Sequence, residues 1–479
     1  MITSIRFSRS LLLVALLAAP LRTAAAHAHL VRSLPAAGSR VGAPSTLSLT
    51  FNEALTIALS RITLLDAANK AVSLGSVAAA AGDAKTLLVP IRDALPPGHY
   101  VVKWQAAGSD GHPARGEFGF DIVAAATSGA APPVRPPLLL AGAAFALPVG
   151  LLVPKLAAQM VDEPGFSVES PAFVAIRAAQ STALVVLLGV LALHFVIAPR
   201  AARGTKAPSG VAVPGTQHPS VRWAMAALGI LLLTTIARLY AQHVAFFGVG
   251  ETPSGATLRA LLSQSTWARG WWLALGATLV GFWGLRRVRR GRADGWRIVV
   301  ASALGVTVSF AMSGHAAAAS GFAMTIHALH VLGAGGWIGS LAAVALIAIP
   351  VSLRTTDADR HVRVADLVRA FSPVALVCAG LVAGTGLLAA WRNLGSLSAL
   401  WQARYGQVLL VKLGLLSVAA ATGFFNWRYV LPVLGTETAT ARLRRSATVE
   451  LIAALLVLIV TAVLVATPMP AEMLDTMQR

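Results

Sequence analysis

The stretch LPPGHYVVKWQAAGSDGHPARGEFGFDIV, residues 95–123, decides the fold of the N-terminal part of the chain. Apolar and polar residues alternate on both sides of a turn-rich centre, and Phe118, Phe120 and Ile122 would share one face of a strand. Other runs with the same two-residue period precede it, separated by turns that contain Pro, Gly and Asp. The pattern predicts a small antiparallel β-sandwich or barrel over residues 27–124.

The first 26 residues predict export of this domain. Two arginines precede an apolar run, and an alanine run ends at Ala26, which is typical of a secretory signal peptide over residues 1–26. Cleavage after Ala26 would make His27 the first residue of the mature chain. A second small-residue site would place the cut after Ala28 and leave His29 first. Either cut produces an N-terminal histidine.

The remainder of the chain has the composition of a membrane protein. Of its 479 residues 56% are hydrophobic, and the mean hydropathy is +0.71, which is far too apolar for a soluble protein of this length. The segments long enough to cross a bilayer as helices are 172–198, 222–247, 269–285, 297–313, 322–350, 371–391, 406–427 and 447–467. We therefore expect a domain of about eight transmembrane helices over residues 168–468.

The basic residues predict the orientation of these helices. If the first domain is exported, the loops at 199–222, 285–297, 354–369 and 428–445 are cytoplasmic, and they hold eighteen of the 39 Lys and Arg residues. This distribution follows the positive-inside rule, so the net charge of +20 does not indicate a nucleic-acid partner. The N-terminal domain is therefore expected on the outer side of the membrane, with the lipid bilayer as a partner.

Three further segments belong to neither domain. Residues 125–137 are rich in Ala, Gly and Pro and predict an exposed linker. Residues 138–158 contain a short apolar run that, counted as a span, would turn every basic loop outward, so we expect an interfacial or re-entrant segment. Residues 469–479 form a tail with three methionines on the periplasmic side.

The exported domain contains candidate metal ligands. An N-terminal histidine, His27, offers its α-amine and its ring Nδ1 to one metal ion. Asp110 and His112 alternate in a turn-rich stretch, so both side chains can point the same way. Together they would form the nitrogen-rich tetragonal set that Cu(II) prefers, although taken alone the Asp110–His112 stretch is also an ordinary polar turn. The chain's single cysteine, Cys378, lies in an apolar segment, so the exported domain has no disulfide.

A second group of candidate ligands lies in the membrane domain. The histidines expected in its outer half are His243, His315, His327 and His330. The i, i+3 spacing places His327 and His330 on one helix face, and Met312 and Met324 lie at the same depth. Imidazole with thioether favours copper, especially Cu(I). Each histidine alone could equally be a hydrogen-bonded structural residue near a helix end.

The motifs that carry these residues resemble known families. HAHLVRSLPAAGS, LSLTFNEAL and LPPGHYVVKWQAAGSDGHPARGEFGF are similar to the periplasmic copper-binding CopC family, while SGHA, HxxHVLGAGGWIG, YGQVLLVKLGLL and FFNWRYVLP resemble the CopD membrane family. The resemblance to a CopC/CopD fusion implies a Greek-key β-barrel of cupredoxin-like shape. It also implies a Cu(II) site formed or surrounded by His27, Asp110, His112 and Glu53. The region at 64–85 has no methionine, so a second, Cu(I) site of the kind found in some CopC proteins is not expected there.

The resemblance implies a location in a bacterial inner membrane, with the N-terminal domain in the periplasm. It also implies copper binding, and uptake or transfer across the inner membrane, as part of copper homeostasis or resistance. Copper ions are the expected ligands, periplasmic copper chaperones are candidate partners, and the chain is not expected to be an enzyme. No nucleotide-binding loop occurs in the sequence, so transport would not be driven by ATP. Two alternatives are a haem b electron-transfer protein, with membrane histidines as axial ligands, and an oxidative copper enzyme with an N-terminal histidine ligand.

Overall fold

The computed structural model describes residues 28–108, 113–123, 171–204, 217–248, 255–263, 266–312, 321–354 and 359–467. The chain divides into two compact units. One unit comprises His27–Phe166 together with Ala241–Ala268, and the other comprises the rest of the chain. The expected signal peptide, linker, apolar segment at 138–158 and methionine tail lie outside the described residues.

The N-terminal domain is a β-sandwich, as expected. Its strands are β1 (Leu30–Leu34), β2 (Arg40–Val41), β3 (Thr46–Phe51), β4 (Arg61–Leu65), β5 (Ala78–Ala80), β6 (Asp83–Pro90), β7 (Gly98–Ala107) and β8 (Pro113–Ile122). One four-stranded sheet has the order β1-β3-β6-β5 and the other β2-β8-β7-β4. The first four strands alternate between the two sheets, whereas β5–β6 and β7–β8 are each adjacent within one sheet. The short β2 pairs parallel with β8, and the other pairings are antiparallel.

The period of two in the sequence builds the core of the sandwich. Phe118, Phe120 and Ile122 are all buried on one face of β8, as predicted. Tyr100, on the neighbouring β7, stacks on Phe120 with 5.9 Å between ring centroids, and its hydroxyl donates a hydrogen bond to the Pro96 carbonyl. The aromatic side chains therefore fill the interior while the one buried polar tip among them is satisfied.

The rest of the described chain is helical. Its helices are α1 (Pro171–Arg203), α2 (Gln217–Phe247), α3 (Gly255–Ser263), α4 (Thr266–Arg289), α5 (Gly295–Met312), α6 (Gly321–Leu353), α7 (Arg360–Leu394), α8 (Ala399–Gln402), α9 (Arg404–Val433) and α10 (Glu437–Ala466). Each of the eight segments predicted to span the membrane coincides with one of these helices. Seven of the described helices are long and apolar enough to cross a membrane. The eighth predicted span, 269–285, lies in the 24-residue α4, which is less apolar because it is rich in Trp, Gly and Arg.

Two glycines bring α1 and α6 into backbone contact. A Cβ atom added to Gly339 would lie 2.0 Å from the Val185 carbonyl oxygen, and one added to Gly189 would lie 1.9 Å from the Gly339 carbonyl oxygen. Transmembrane helices associate through close packing rather than through a hydrophobic driving force, so small residues at such a contact are required. The α1–α6 contact holds the helix that carries His327 and His330.

We predict that Gly339→Ala destabilises the membrane domain, because the new methyl group must push two helix backbones apart. The expected fall in the melting temperature of the detergent-solubilised protein is about 5–10 °C. Gly229→Ala is the matched control, since a Cβ there has no neighbour within 4 Å. Equal melting temperatures for the two variants, measured by size-exclusion chromatography after heating, would contradict the proposed packing role.

Candidate metal centres

One end of the β-sandwich contains Glu53 and the described residues next to the other candidate ligands of this domain. Glu53 is half-buried just after β3, whereas His27, Asp110 and His112 lie outside the described residues. The residues that flank all four can nevertheless be located. The His29 N–H donates to Asn52 Oδ1 at 2.8 Å, and the Asn52 N–H donates to the His29 carbonyl at 3.2 Å. The segment that follows His27 is therefore clamped to the residue that precedes Glu53.

The connection between β7 and β8 has its two flanking residues paired side by side. Ala107 and Pro113 form the last residue pair of the β7–β8 ladder, and the stretch with Asp110 and His112 connects them. The Thr56 N–H donates to the Ala107 carbonyl at 2.8 Å, and Leu55 forms an antiparallel bridge with Gly108. Described neighbours of all four candidate ligands are thus hydrogen-bonded to one another at one end of the sandwich.

This end of the sandwich is supported by polar residues that the sequence alone did not indicate. Asn52 fixes the N-terminal segment, and its carbonyl accepts a hydrogen bond from Lys85 Nζ at 3.0 Å. Nearby in β6, the Thr86 hydroxyl and the Lys85 N–H donate to Asp83 and hold the pKa of that carboxyl below its usual range. Both Asp83 oxygens are therefore engaged within the strand. Asn52 directly precedes Glu53 in sequence, and this adjacency is the feature of the sequence that could have identified Asn52 as a supporting residue.

The first described residue bears on where the mature chain begins. Ala28 is 2% exposed and belongs to the hydrophobic core of the sandwich. A chain that starts at His27 keeps this core residue, whereas a chain that starts at His29 loses it. His29 already uses its backbone N–H and carbonyl in the clamp to Asn52.

In the membrane domain, His327 and His330 lie one turn apart on α6 and are both half-buried. His330 Nδ1 is 2.9 Å from Thr385 Oγ1 on α7. The Thr385 hydroxyl also lies 2.6 Å from the Leu381 carbonyl, and when it donates its one hydrogen there it accepts from His330. In that arrangement His330 carries its proton on Nδ1, and the lone pair of Nε2 is available to bind a ligand.

Positive charges surround this histidine pair. Arg177, Lys412 and Arg392 all act electrostatically on His327, and Lys412 also acts on His330. Within the described chain, the ion pairs of this domain are Arg287–Asp294, Arg292–Asp294 and Arg369–Asp366, so none involves these three cations. The candidate ligands therefore lie in an electropositive setting.

The remaining candidate ligands among the helices are His243, His315, Met312 and Met324. His243 is 2% exposed near the end of α2, packs on the Phe247 ring at 5.0 Å, and belongs to the compact unit of the β-sandwich. His315 lies outside the described residues. Met324 lies one turn before His327 on α6, and Met312 ends α5. Among the described residues, no group of three His, Cys, Asp or Glu side chains is placed to hold a metal ion.

A buried carboxyl in α10 was not recognised from the sequence. Glu450 is 6% exposed, and its Oε1 accepts a hydrogen bond from Asn426 Nδ2 at 2.7 Å. Ser446 donates to Asn426 Oδ1 at 2.6 Å, which fixes the orientation of the amide. An ionisable group at such a place requires a polar partner, and here the partner is a neutral amide.

Family models cover most of the described chain. The CopC domain model matches residues 30–123, the N-terminal domain model of copper resistance protein D-like proteins matches 167–326, and the copper resistance protein D model matches 365–464. These matches include the β-sandwich and the helices on both sides of the His327–His330 pair.

Individual proteins show the same division. The chain is 25% identical over 460 residues to the copper transport protein CutJ of Bacillus subtilis, covering 94% of this chain and 76% of CutJ. It is 35% identical over 106 residues to copper resistance protein C of Escherichia coli, covering 21% of this chain and 84% of that protein. The crystal structure of the methionine-rich copper resistance protein PcoC from Escherichia coli is similar at 34% identity, with 20% of this chain and 99% of that chain covered and a TM-score of 0.19. Since a CopC sandwich and both parts of a CopD membrane domain follow one another in a single polypeptide, the chain belongs to the family of copper resistance and transport proteins that fuse CopC to CopD.

Proposed function

We propose that the protein captures Cu(II) at one end of its periplasmic β-sandwich and passes copper to histidines of its membrane domain for uptake across the inner membrane. The observation that carries the proposal is the hydrogen-bonded convergence of the chain segments that flank His27, Glu53, Asp110 and His112. Membership of a copper resistance and transport family supports the same metal.

The capture site would use the mature N-terminus as a ligand. After cleavage at Ala26, the His27 amine and ring would chelate one Cu(II) ion, with His112 and Asp110 completing the set and Glu53 nearby. A nitrogen-rich, tetragonal set suits Cu(II). The clamp between His29 and Asn52 would hold the new terminus beside Glu53, so little conformational freedom would be lost when the metal binds.

The membrane site would take Cu(I). The electrostatic cost of placing an ion among Arg177, Lys412 and Arg392 is proportional to its charge, so it is half as large for Cu(I) as for Cu(II). His330 Nε2 would be one ligand, with His327 and the Met324 thioether on the same helix as further candidates. Movement between the two sites then requires reduction of copper by one electron from an external donor.

A haem b protein is the second candidate. The cations around His327 would disfavour a divalent metal, but they would form ion pairs with the carboxylates of a haem. A Soret band in the purified protein would support this reading and displace the copper assignment of the membrane histidines.

We predict that the terminal amine is a Cu(II) ligand. Residues 27–124, which have their own hydrophobic core, should bind Cu(II) at least 100-fold more tightly with a native His27 terminus than with one extra N-terminal glycine. The added residue removes the chelate formed by amine and ring. Competition titration and EPR provide the measurement, and equal affinities with unchanged spectra would exclude the amine from the site.

We predict that Thr385 positions His330. Thr385→Val removes the acceptor for the Nδ1 proton and should weaken Cu(I) binding by the full-length protein about tenfold, as for other groups that orient metal-binding histidines. Thr385→Ser keeps the hydroxyl and is the matched control. Cu(I) affinity is measured by competition with a chromogenic chelator. Equal losses in both variants would point to packing rather than to the hydrogen bond.

A further inference from the structure

Two arginines lie near each other on helices α1 and α2 of the membrane domain. Arg177 on α1 and Arg238 on α2 are close enough for the charge of Arg238 to act on Arg177, and both fall within helices apolar enough to span a membrane. Arg238 is only 8% exposed, and Arg177 is half-buried. A guanidinium stays charged in a protein, so loss of a proton does not relieve the repulsion between the two.

The described part of the membrane domain supplies no counter-charge to this pair. Its acidic residues are Asp294, Asp359, Asp366, Glu437 and Glu450. None of these carboxyls acts electrostatically on either arginine. A charge that is removed from water is costly unless an opposite charge or several hydrogen bonds replace the lost hydration. The arginine pair therefore requires a negative partner that the described residues do not provide.

Neutral hydrogen bonds fix the position of Arg238 without satisfying it. Arg238 Nη1 donates to Gln180 Oε1 at 3.3 Å, and Gln180 Nε2 donates to Thr235 Oγ1 at 3.4 Å. Trp271 Nε1 donates to the Thr235 carbonyl at 2.8 Å, which joins α4 to the same network. The Nε atom of Arg238 is buried and has no hydrogen-bond partner among the described residues. A donor of this buried cation is thus left without an acceptor.

Arg177 also lacks an acceptor within the described chain. Its guanidinium carbon lies 5.2 Å from the centre of the Phe173 ring, one turn earlier on α1. A cation–π contact offsets part of the lost hydration, but it leaves the N–H groups unpaired. Phe173, Gln180 and Thr235 are each at most 4% exposed, so the interface around the two arginines is closed to a bulky ligand.

We propose that Arg177 and Arg238 form a binding site for a small carboxylate or oxyanion at the interface of α1 and α2. The Nε edge of a guanidinium is one that carboxylates and oxyanions bind with two parallel hydrogen bonds. One negative charge at this place would give the Arg238 Nε its acceptor and offset the repulsion between the arginines. The closed surroundings favour an anion of the size of formate over a lipid headgroup or a haem.

An anion at this site would also act on the candidate copper ligands. Arg177 acts electrostatically on His327, so neutralising Arg177 would lower the cost of placing a cation at the His327–His330 pair. Binding of the anion and binding of Cu(I) would then favour each other by the same factor. This consequence rests on the proposed function, whereas the anion site itself does not.

Formate is the probe for the anion site. The full-length protein is purified in an uncharged detergent with HEPES as the buffer anion, and formate then replaces HEPES at constant ionic strength. An increase in formate from about 1 mM to about 100 mM should raise the melting temperature by about 3–5 °C, because a ligand of the folded state stabilises it. Arg238→Gln and Arg177→Gln should each need about tenfold more formate for the same rise.

Two further variants separate an anion site from a general effect of charge. Arg222→Gln removes an exposed arginine of the same helix and should respond to formate like the unaltered protein. Arg238→Lys keeps the charge but loses the planar fork, so it should bind formate several-fold more weakly. If Arg238→Gln does not fold, Arg177→Gln provides the test, because Arg177 makes no hydrogen bond within the described chain.

Equal formate responses in the unaltered protein and in both glutamine variants would overturn the site. Absence of any response in the unaltered protein would also overturn it, and a Soret band in that sample would assign the arginines to the carboxylates of a haem instead.

The coupling to copper has a separate readout. Formate at about 100 mM should tighten Cu(I) binding several-fold in the unaltered protein and leave it unchanged in Arg238→Gln. Competition with a chromogenic chelator measures both affinities. A Cu(I) affinity that does not respond to formate would overturn the coupling, while the anion site would stand on the melting data. Absence of Cu(I) binding would overturn the copper assignment of the membrane histidines, again without affecting the anion site.

Discussion

The antiparallel ladder between β7 and β8 is the interaction on which the β-sandwich depends. Its ten residue pairs run from Gly98–Ile122 to Ala107–Pro113. The inward side of this ladder supplies the aromatic core, and its end connects to the stretch that contains Asp110 and His112. A ladder of this length fixes the register of every residue, since a slip by one position would exchange the core face for the solvent face.

Asparagine and threonine side chains do the positioning at both candidate metal centres. Asn52 holds the N-terminal segment of the sandwich through two hydrogen bonds, and Thr385 holds the His330 ring through one. Neither residue is charged, so neither alters the charge of its site. Under the proposed function, they would fix the ligands before the metal arrives, which would lower the entropic cost of binding.

The two centres differ in the charge they offer to copper. At the sandwich, Asp110 and Glu53 are carboxylates that would offset the charge of a divalent ion. In the membrane domain, Arg177, Lys412 and Arg392 act electrostatically on the candidate ligand His327. Under the proposed function, an ion that passed from the first environment to the second would lose charge, because the electrostatics and the preference of imidazole and thioether ligands would both favour Cu(I) in the membrane domain.

Local patterns in the sequence determined the division into a β-domain and a domain of apolar helices, because strand and helix periods and apolar length act over a few residues. They also identified the candidate ligands by type. The partners of those ligands came only from the tertiary structure. Asn52 is 23 residues from His29, and Thr385 is 55 residues from His330. No local periodicity relates positions so far apart, because folding alone decides which distant polar groups meet.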